Sequence, residues 1–472
     1  MSRLSWGGLL IFLPAILQLC AALTFDLGVD EAHYMLYARH LDLSYFDHPP
    51  LVGWTHFLFN FVFGENLFSA RLPAILCGAF SSWQCFRFLR EQNVAEKTAV
   101  TATLAIGLCW QFFVLNLFLL PDTLCLALFW PLMRMTVLTA QKPIVRHWLG
   151  LGFFLGLMGL AKYTGVFFLL PIAILILSQQ RLRILKQPGF YLAVLLAAAL
   201  VSPILIWNQA RDWLSFRYQG AHVLGGEHGL ESVLKSFVLQ FATYSPFLWF
   251  FAIWGIWQLW RRKGASAQFA LWSAVAFGLF FGLSSWKATV LPHWPAQFYM
   301  LAIPMGLAYF LGKKPIWARV AIGLTASVNF LLVFLLVTGW GARIPGALKE
   351  VSGWPEFMPQ VLAKLEKPTD RVVVLNWTYG SRAMYYAGPG QDLKVLVLDD
   401  RTDQFDLWNP EKVDGRDLWI VQFSYDEKDL SSTLKCDSWG PPEMLPIFKR
   451  GVEQYQVIFQ KCVNATSLIS GS

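Results

Sequence analysis

Long apolar runs fill the first 340 residues of this 472-residue chain. A helix needs about 20 apolar residues to cross the hydrocarbon core of a bilayer. Eleven runs reach or approach that length, near residues 6–25, 67–89, 98–116, 122–140, 148–161, 164–180, 189–207, 236–260, 267–284, 296–312 and 316–340. With 56% hydrophobic and only 14% charged residues, the chain is too apolar for an ordinary soluble protein. The sequence therefore predicts a mainly α-helical polytopic membrane protein with about 11 transmembrane helices.

The first run, residues 6–25, has the length of a span but also resembles a signal peptide. It lacks a clear small-residue cleavage site, which favours a retained first span.

Basic residues between the runs predict the topology. With the N-terminus in the cytoplasm, the inner side holds 15 Lys and Arg residues and the outer side seven. Cytoplasmic loops are enriched in these residues, so we expect a cytoplasmic N-terminus, and eleven spans then place the C-terminus outside. The basic excess belongs to membrane loops and implies no nucleic-acid partner.

After Trp340 the composition changes to short strands alternating with helices. We expect strands at 371–377, 394–399, 417–423 and 455–460 and a helix at 381–387. The predicted domains are a transmembrane catalytic domain, 1–340, with outer loops 26–66 and 208–235, and a small soluble α/β domain, 341–472. Cys436 and Cys462 lie in this second domain, and a disulfide between them would require an oxidising compartment.

Acidic residues gather on the predicted outer side. It holds ten of the twelve acidic residues before position 340, around DEAHY (30–34), YFDHPP (45–50) and LPD (120–122). Charge at a membrane face that is otherwise apolar indicates a functional site. The run EAHYMLYARHL predicts a helix along the membrane surface that forms the floor of this site.

Each carboxylate has two interpretations. Asp30 either caps a helix or takes a proton from an acceptor hydroxyl. Asp47 and His48 either cap a loop, stiffened by two prolines, or bind a divalent ion or a phosphate. Asp122 follows Pro121 and has the position of another N-cap, but three carboxylates at one face are less easily explained by capping.

Cations on the same side also have two interpretations. Lys162, Arg211, Arg217 and Lys287 either snorkel to lipid headgroups or clamp a phosphate or diphosphate. The loop WKATVLPHWP (286–295) is either part of an interfacial aromatic belt or a loop that presents Lys287 and His293 to the site.

In their order and spacing these motifs resemble the C-type superfamily of membrane glycosyltransferases, in the group of protein mannosyltransferases and lipid A aminoarabinose transferases (glycosyltransferase family 39 and its bacterial relatives). The matching stretches are VDEAHYMLYARHLDLSYFDHPPLVGW, SARLPAIL, LPDTL, GLMGLAKYTGVFFLLP, SPILIWNQARDWLSFRYQ and KATVLPHWPA. The resemblance implies a C-type fold in a bacterial inner membrane, a periplasmic C-terminal domain, and inverting transfer of a sugar from a polyprenyl-phosphate donor.

The resemblance also implies roles for individual residues. Asp30 matches the acid that acts as base or orients the acceptor, Asp47 the second loop acid, and Asp122 a further acid of the site. Lys162 and Arg217 match donor-phosphate contacts, and we add Lys287 and His48 to this set. The predicted cavity-lining residues are Glu31, Tyr34, Tyr45 and His293.

Asp47 and His48 are also the candidate ligands of a divalent metal ion. Asp47-His48-Pro49 stands where the aminoarabinose enzymes have Glu-Lys-Pro, so a fixed cation is lost. This departure leaves metal dependence and the identity of the sugar open.

Two other functions are compatible with a polytopic membrane protein. A flippase or transporter of lipid-linked sugars would have charges at mid-membrane and often repeat symmetry, whereas here the charges lie at one face. A silent scaffold would not need the three acidic motifs. Lipid A, another envelope lipid, a glycan and protein Ser or Thr are all open as acceptors, and the small α/β tail favours a bacterial envelope acceptor over the acceptors of a protein O-mannosyltransferase.

Overall fold

Helices make up most of the chain, and a mixed sheet follows near its C-terminus. A computed structural model describes residues 6–224, 229–398, 402–430 and 433–468. The helices before the sheet are α1 (Leu13–Ala21), α2 (Val29–Arg39), α3 (Leu51–Phe63), α4 (Leu67–Glu91), α5 (Glu96–Gly107), α6 (Trp110–Leu115), α7 (Pro121–Gln141), α8 (Val145–Ala161), α9 (Leu169–Gln180), α10 (Pro188–Gln209), α11 (Leu214–Leu224), α12 (Leu230–Thr243), α13 (Pro246–Trp249), α14 (Phe251–Trp260), α15 (Ala265–Ser284), α16 (Ala296–Lys313) and α17 (Pro315–Val337). The C-terminal elements are α18 (Trp354–Leu362), β1 (Arg371–Val374), α19 (Trp377–Ala387), β2 (Val395–Val397), α20 (Gln404–Trp408), β3 (Leu418–Phe423), β4 (Leu434–Lys435), β5 (Ser438–Trp439), β6 (Glu443–Lys449), β7 (Val452–Val463) and β8 (Thr466–Ser467).

Several helices have the length and apolar composition of membrane spans. In the described parts of the chain there are five, or six if the bent pair from Leu230 to Trp260 forms one span. They are Pro121–Gln141, Tyr163–Lys186, Pro188–Gln209, Ala265–Ser284 and Pro315–Val337. A multi-pass helical membrane protein is thereby confirmed, while the number eleven stays a prediction. One cause is that predicted runs are interrupted: residues 98–116 divide into α5 and α6.

Two compact units divide the chain. The helical unit consists of Met1–Leu19, Leu43–Val52 and Arg71–Leu332. The mixed unit consists of Cys20–Asp42, Gly53–Ala70 and Val333–Ser472. The predicted boundary at residue 340 stays a prediction.

In the helical unit, α14 and α16 cross with their backbones in contact. A Cβ atom at Gly255 would overlap the carbonyl oxygen of Ala302, and one at Gly306 would overlap that of Phe251. Small residues let membrane helices approach this closely. Close packing matters here because lipid tails are as apolar as the side chains, so no hydrophobic driving force brings the helices together. The two glycines therefore set the distance between α14 and α16.

In the mixed unit, parallel and antiparallel strands share one sheet with the order β2-β1-β3-β7-β5, and β6 also pairs with β7. Val372 of β1 lies between Val395 and Trp419 in parallel register, and β7 runs antiparallel to β3 with Ile420 opposite Gln460. The strands and the helix expected from the sequence are present at their positions, with shifted ends. A disulfide joins Cys436 to Cys462.

Helix α2 packs into the core of this mixed unit. Its Ala32, Met35 and Leu36 are completely buried in a cluster that includes Ala383 and Met384 of α19. His33 adds a contact of 3.1 Å between its Nδ1 and the Ser381 hydroxyl. The side chains from Glu31 to Ala38 are buried. The expected position of this helix along the membrane surface stays a prediction.

Candidate functional site

A buried ion pair joins the ends of two helices of the helical unit. Lys162 follows the last residue of α8, and Asp122 is the second residue of α7. The Lys162 Nζ atom lies 2.7 Å from each carboxylate oxygen of Asp122, and both side chains are buried. Burying two charges is costly unless they are paired with good geometry, and this pair has it.

His293 stands next to this pair. Its Nε2 atom lies 4.0 Å from Oδ2 of Asp122. Although 22% of the side chain is exposed, burial lowers the pKa of His293 from 6.5 to about 4; the Asp122 carboxylate opposes this shift and Lys162 adds to it. At neutral pH the imidazole is therefore uncharged and has one nitrogen that can accept a proton.

Contacts from α12 and the residue after it fix the loop that carries His293. Gln240 donates from its side-chain amide to the carbonyl oxygen of Val290 at 3.2 Å, and the hydroxyl of Tyr244 donates to that of Pro292 at 2.8 Å. Both anchoring side chains are buried. His293 thus has a defined position although it lies in a loop.

Helix α11 holds the Asp47-His48 turn. Within the turn, the Tyr45 amide donates to the His48 carbonyl oxygen at 3.1 Å. Ser215 donates to the carbonyl oxygen of Tyr45 at 2.9 Å, and Gln219 donates to that of Asp47 at 2.7 Å. The two turn side chains approach each other, with 3.9 Å between His48 Nε2 and Asp47 Oδ2.

The turn lies beside the buried pair. His48 is near enough to Asp122 for an electrostatic interaction, and Asp47 has one with Tyr163, the residue after Lys162. The Tyr163 hydroxyl is buried and lies close to the Ser215 side chain. The structure therefore brings Asp47, His48, Asp122, Lys162 and His293 together.

Neither candidate cap, Asp30 or Asp122, is an N-cap. Gly28 is the N-cap of α2, and its amide donates to the Glu31 carboxylate at 3.1 Å, so Glu31 does the capping. Leu120 is the N-cap of α7. The capping interpretation is therefore wrong for both aspartates, although both lie in a first turn, where a negative charge is favourable.

The other candidates have varied surroundings. Asp30, half-buried, and Glu31 and Tyr34, both buried, belong to the mixed unit. Tyr45 is completely buried, Arg217 is exposed on α11, and Lys287 is half-buried in the loop before His293. The roles assigned to these residues stay predictions.

A metal site is not evident from the geometry. Among residues whose placement is described, no group of three or more His, Cys, Asp or Glu side chains is arranged to hold a metal ion. Asp47 and His48 alone supply two ligands, so metal dependence stays a prediction.

The sequence did not indicate which residues fix the site. These are Ser215, Gln219, Gln240 and Tyr244. Ser215 and Gln219 lie in a stretch that carries the family resemblance. Gln240 and Tyr244 gave no signal beyond being polar within or beside an apolar run.

Comparisons with known proteins agree on one class. The family described as dolichyl-phosphate-mannose-protein mannosyltransferase matches residues 47–207. The lipid A galacturonosyltransferase RgtD of Rhizobium johnstonii is 26% identical over 343 residues, which cover 69% of this chain and 70% of RgtD.

Solved structures match nearly the whole chain. ArnT of Cupriavidus metallidurans bound to undecaprenyl phosphate matches with a TM-score of 0.65 and 16% identity, covering 97% of this chain and 98% of ArnT. Its apo structure matches with a TM-score of 0.66 and 16% identity, covering 96% and 97%.

The chain has the fold of these membrane glycosyltransferase structures. It is similar to the group of protein mannosyltransferases and lipid A aminoarabinose transferases, and the matches confirm the resemblance that its motifs predicted.

Proposed function

We propose that this chain is an inverting glycosyltransferase that moves a sugar from a polyprenyl-phosphate donor to lipid A. The observation that carries the proposal is the cluster of Asp122, Lys162 and His293 beside the Asp47-His48 turn. It puts a buried ammonium group among polar side chains at one end of spanning helices, where a lipid-linked phosphate would arrive.

The proposed reaction needs two kinds of group. An acceptor oxygen attacks the anomeric carbon of the sugar and loses its proton to a base, while the bond from that carbon to the phosphate oxygen breaks and its electrons go to the phosphate. Lys162 is our candidate for stabilising the departing phosphate, with Arg217, Lys287 and His48 as further contacts. Asp30 is our candidate base.

In this scheme, Asp122 and the donor phosphate compete for the ammonium group of Lys162. Its ammonium already contacts both Asp122 oxygens, so a donor phosphate would share it with that carboxylate. Lys162→Ala should therefore mainly weaken use of the donor, and unchanged donor dependence would contradict this role.

Relatives support the choice of donor and acceptor. RgtD is a lipid A galacturonosyltransferase, and one ArnT structure holds undecaprenyl phosphate. The disulfide between Cys436 and Cys462 agrees with an oxidising compartment, so we place the C-terminal domain in the periplasm of a bacterial inner-membrane protein with a cytoplasmic N-terminus. A protein hydroxyl is the second candidate acceptor, because the matching family is named for protein mannosylation.

A transfer assay tests the proposal. Full-length protein in liposomes receives polyprenyl-phosphate galacturonic acid, aminoarabinose or mannose, with lipid A or a Ser/Thr peptide as acceptor, and mass spectrometry follows the product. Lipid A that gains one sugar supports the proposal and names the donor, and glycosylated peptide would support the second candidate. Sugar lipid that crosses the bilayer without transfer would indicate a flippase instead.

Two matched variants make the assay specific. Asp122→Asn should reduce transfer at least about 100-fold, because it removes the partner that positions Lys162. Asp212→Asn changes an exposed aspartate and should leave the rate unchanged. Equal rates in both variants would remove the buried pair from the proposed site.

A further inference from the structure

A polar cavity lies toward the opposite end of α7 from Asp122. It has a volume of about 210 Å³ and is lined by faces of α4 and α7 and by the start of α15. The charged and polar groups in its lining include Arg87, Glu91, Arg134, Gln141 and Ser266. None of these residues takes part in the site described above.

Arg134 is the unusual residue of this cavity. It stands within the apolar span Pro121–Gln141, 12 residues beyond Asp122, or about 18 Å along a helix. Its side chain is exposed, and seven residues, about 10 Å, separate it from the end of α7. A guanidinium at this depth is costly in lipid unless it meets water or an anion.

Trp130 provides a second, independent observation. It lines the same cavity one turn before Arg134, and it is only 2% exposed. Its indole Nε1 is buried and has no acceptor in the described structure. A buried donor without an acceptor is unfavourable, so an acceptor supplied by a ligand would remove this penalty.

The charge of the lining favours an anion. Arg87 and Arg134 exceed the one carboxylate, Glu91, by a single positive charge. Ser266 lies in the first turn of α15, a 20-residue helix with no acidic residue there, so the positive end of its dipole also faces this region. Gln141 and Ser266 can each donate a further hydrogen bond.

We propose that this cavity binds the phosphate group of an anionic phospholipid from the membrane leaflet opposite the transfer site. The cavity opens at the exposed side chains of Glu91, Arg134 and Gln141, which a lipid headgroup can reach from the bilayer. The two guanidinium groups contact the phosphate oxygens and Trp130 Nε1–H donates to one of them. The basic loops predicted at this end of the helices mark it as the cytoplasmic leaflet, which is rich in anionic lipid.

Native mass spectrometry of the full-length protein tests the proposal. Purified protein is titrated with dioleoyl phosphatidylglycerol or dioleoyl phosphatidylcholine, and the retained lipid is measured. We expect preferential retention of phosphatidylglycerol, and the double variant R87Q/R134Q should weaken it at least about tenfold. Equal retention of the two lipids, or unchanged retention in the double variant, would overturn the proposal.

Further variants separate a site from general charge and from misfolding. R146Q removes an exposed arginine outside the lining and should not change retention. W130F keeps an aromatic ring and the charge of the cavity but removes the N–H donor. It should weaken retention about threefold or more. If W130F binds like the wild type, the indole does not contact the lipid and the proposed site is wrong.

The source of the phosphate is tested separately. Inorganic phosphate at a large excess over the lipid should not displace phosphatidylglycerol. Displacement would assign the cavity to a free anion and overturn the lipid proposal.

Discussion

Lys162 contacts both carboxylate oxygens of Asp122 at 2.7 Å, across the C-terminal end of α8 and the N-terminal end of α7. This contact decides between interpretations that the sequence left open. Asp122 does not cap its helix, and Lys162 does not snorkel to lipid headgroups, because its charge is buried against a carboxylate. The two residues form one unit within the candidate site.

We predict strong coupling between the two residues in stability. Asp122→Asn or Lys162→Met alone should lower the free energy of unfolding by about 3–5 kcal/mol, because each leaves a buried charge without its partner. The double variant should be more stable than either single variant, since no uncompensated charge remains. Thermal unfolding in detergent would measure this.

The exposed pair Glu231 and Lys235 provides a matched control. It has a similar N to O distance of 2.6 Å, but its side chains are more than half exposed. Replacing both by Gln should leave Tm nearly unchanged, because water screens such pairs. Additive effects of the Asp122 and Lys162 substitutions would contradict the coupling.

The lowered pKa of His293 predicts a pH profile. If transfer requires its neutral imidazole, activity persists through pH 6.5, the ordinary histidine value, and falls only toward pH 4, where the ring gains its proton. His293→Gln should lower the rate and change the acid limb of a plot of rate against pH, to which protonation of the carboxylate proposed as the base also contributes. A wild-type midpoint near 6.5 that disappears in the variant would contradict the burial of the ring.

Asp30→Asn should fold normally and lose at least about 100-fold in rate, the usual range for a missing general base. Asp30 is half-buried in the first turn of α2, where Glu31, not Asp30, contacts the N-cap amide. The helix therefore keeps its cap, and circular dichroism and Tm should match the wild type. Turnover like that of the wild type would exclude Asp30 as the base.

The disulfide predicts a redox-dependent stability. Cys436 and Cys462 are 26 positions apart, and a cross-link over such a segment contributes about 2–4 kcal/mol. Reductant should lower Tm of the wild type and leave the variant Cys436→Ser/Cys462→Ser unaffected. Cys20→Ser changes a free cysteine and should keep the redox response. Equal Tm with and without reductant would show that the bond does not form.

Features that depend on local sequence pattern were predictable. The sequence also assigned charged residues to one face of the membrane. β1 and β3 were predictable because their apolar runs are short and bounded by polar turns. Asp122, Lys162 and His293 were all assigned to one outer face from the distribution of basic residues alone.

Features that depend on distant contacts were not predictable. The anchors Gln219 and Gln240 act on backbone carbonyl groups 172 and 50 residues away, and no local pattern marks them. The pattern of polar and aromatic side chains in α2 predicted a helix but did not indicate that its side chains are buried. Its burial comes from α19, more than 300 residues later in the chain.

The backbone contact between α14 and α16 also affects the position of His293. His293 precedes the first residue of α16 by three positions, so the direction of that helix determines where the imidazole stands. A single methyl group at Gly255 or Gly306 would force the two helices apart. The position of the His293 imidazole thus depends on two residues that have no side chain at all.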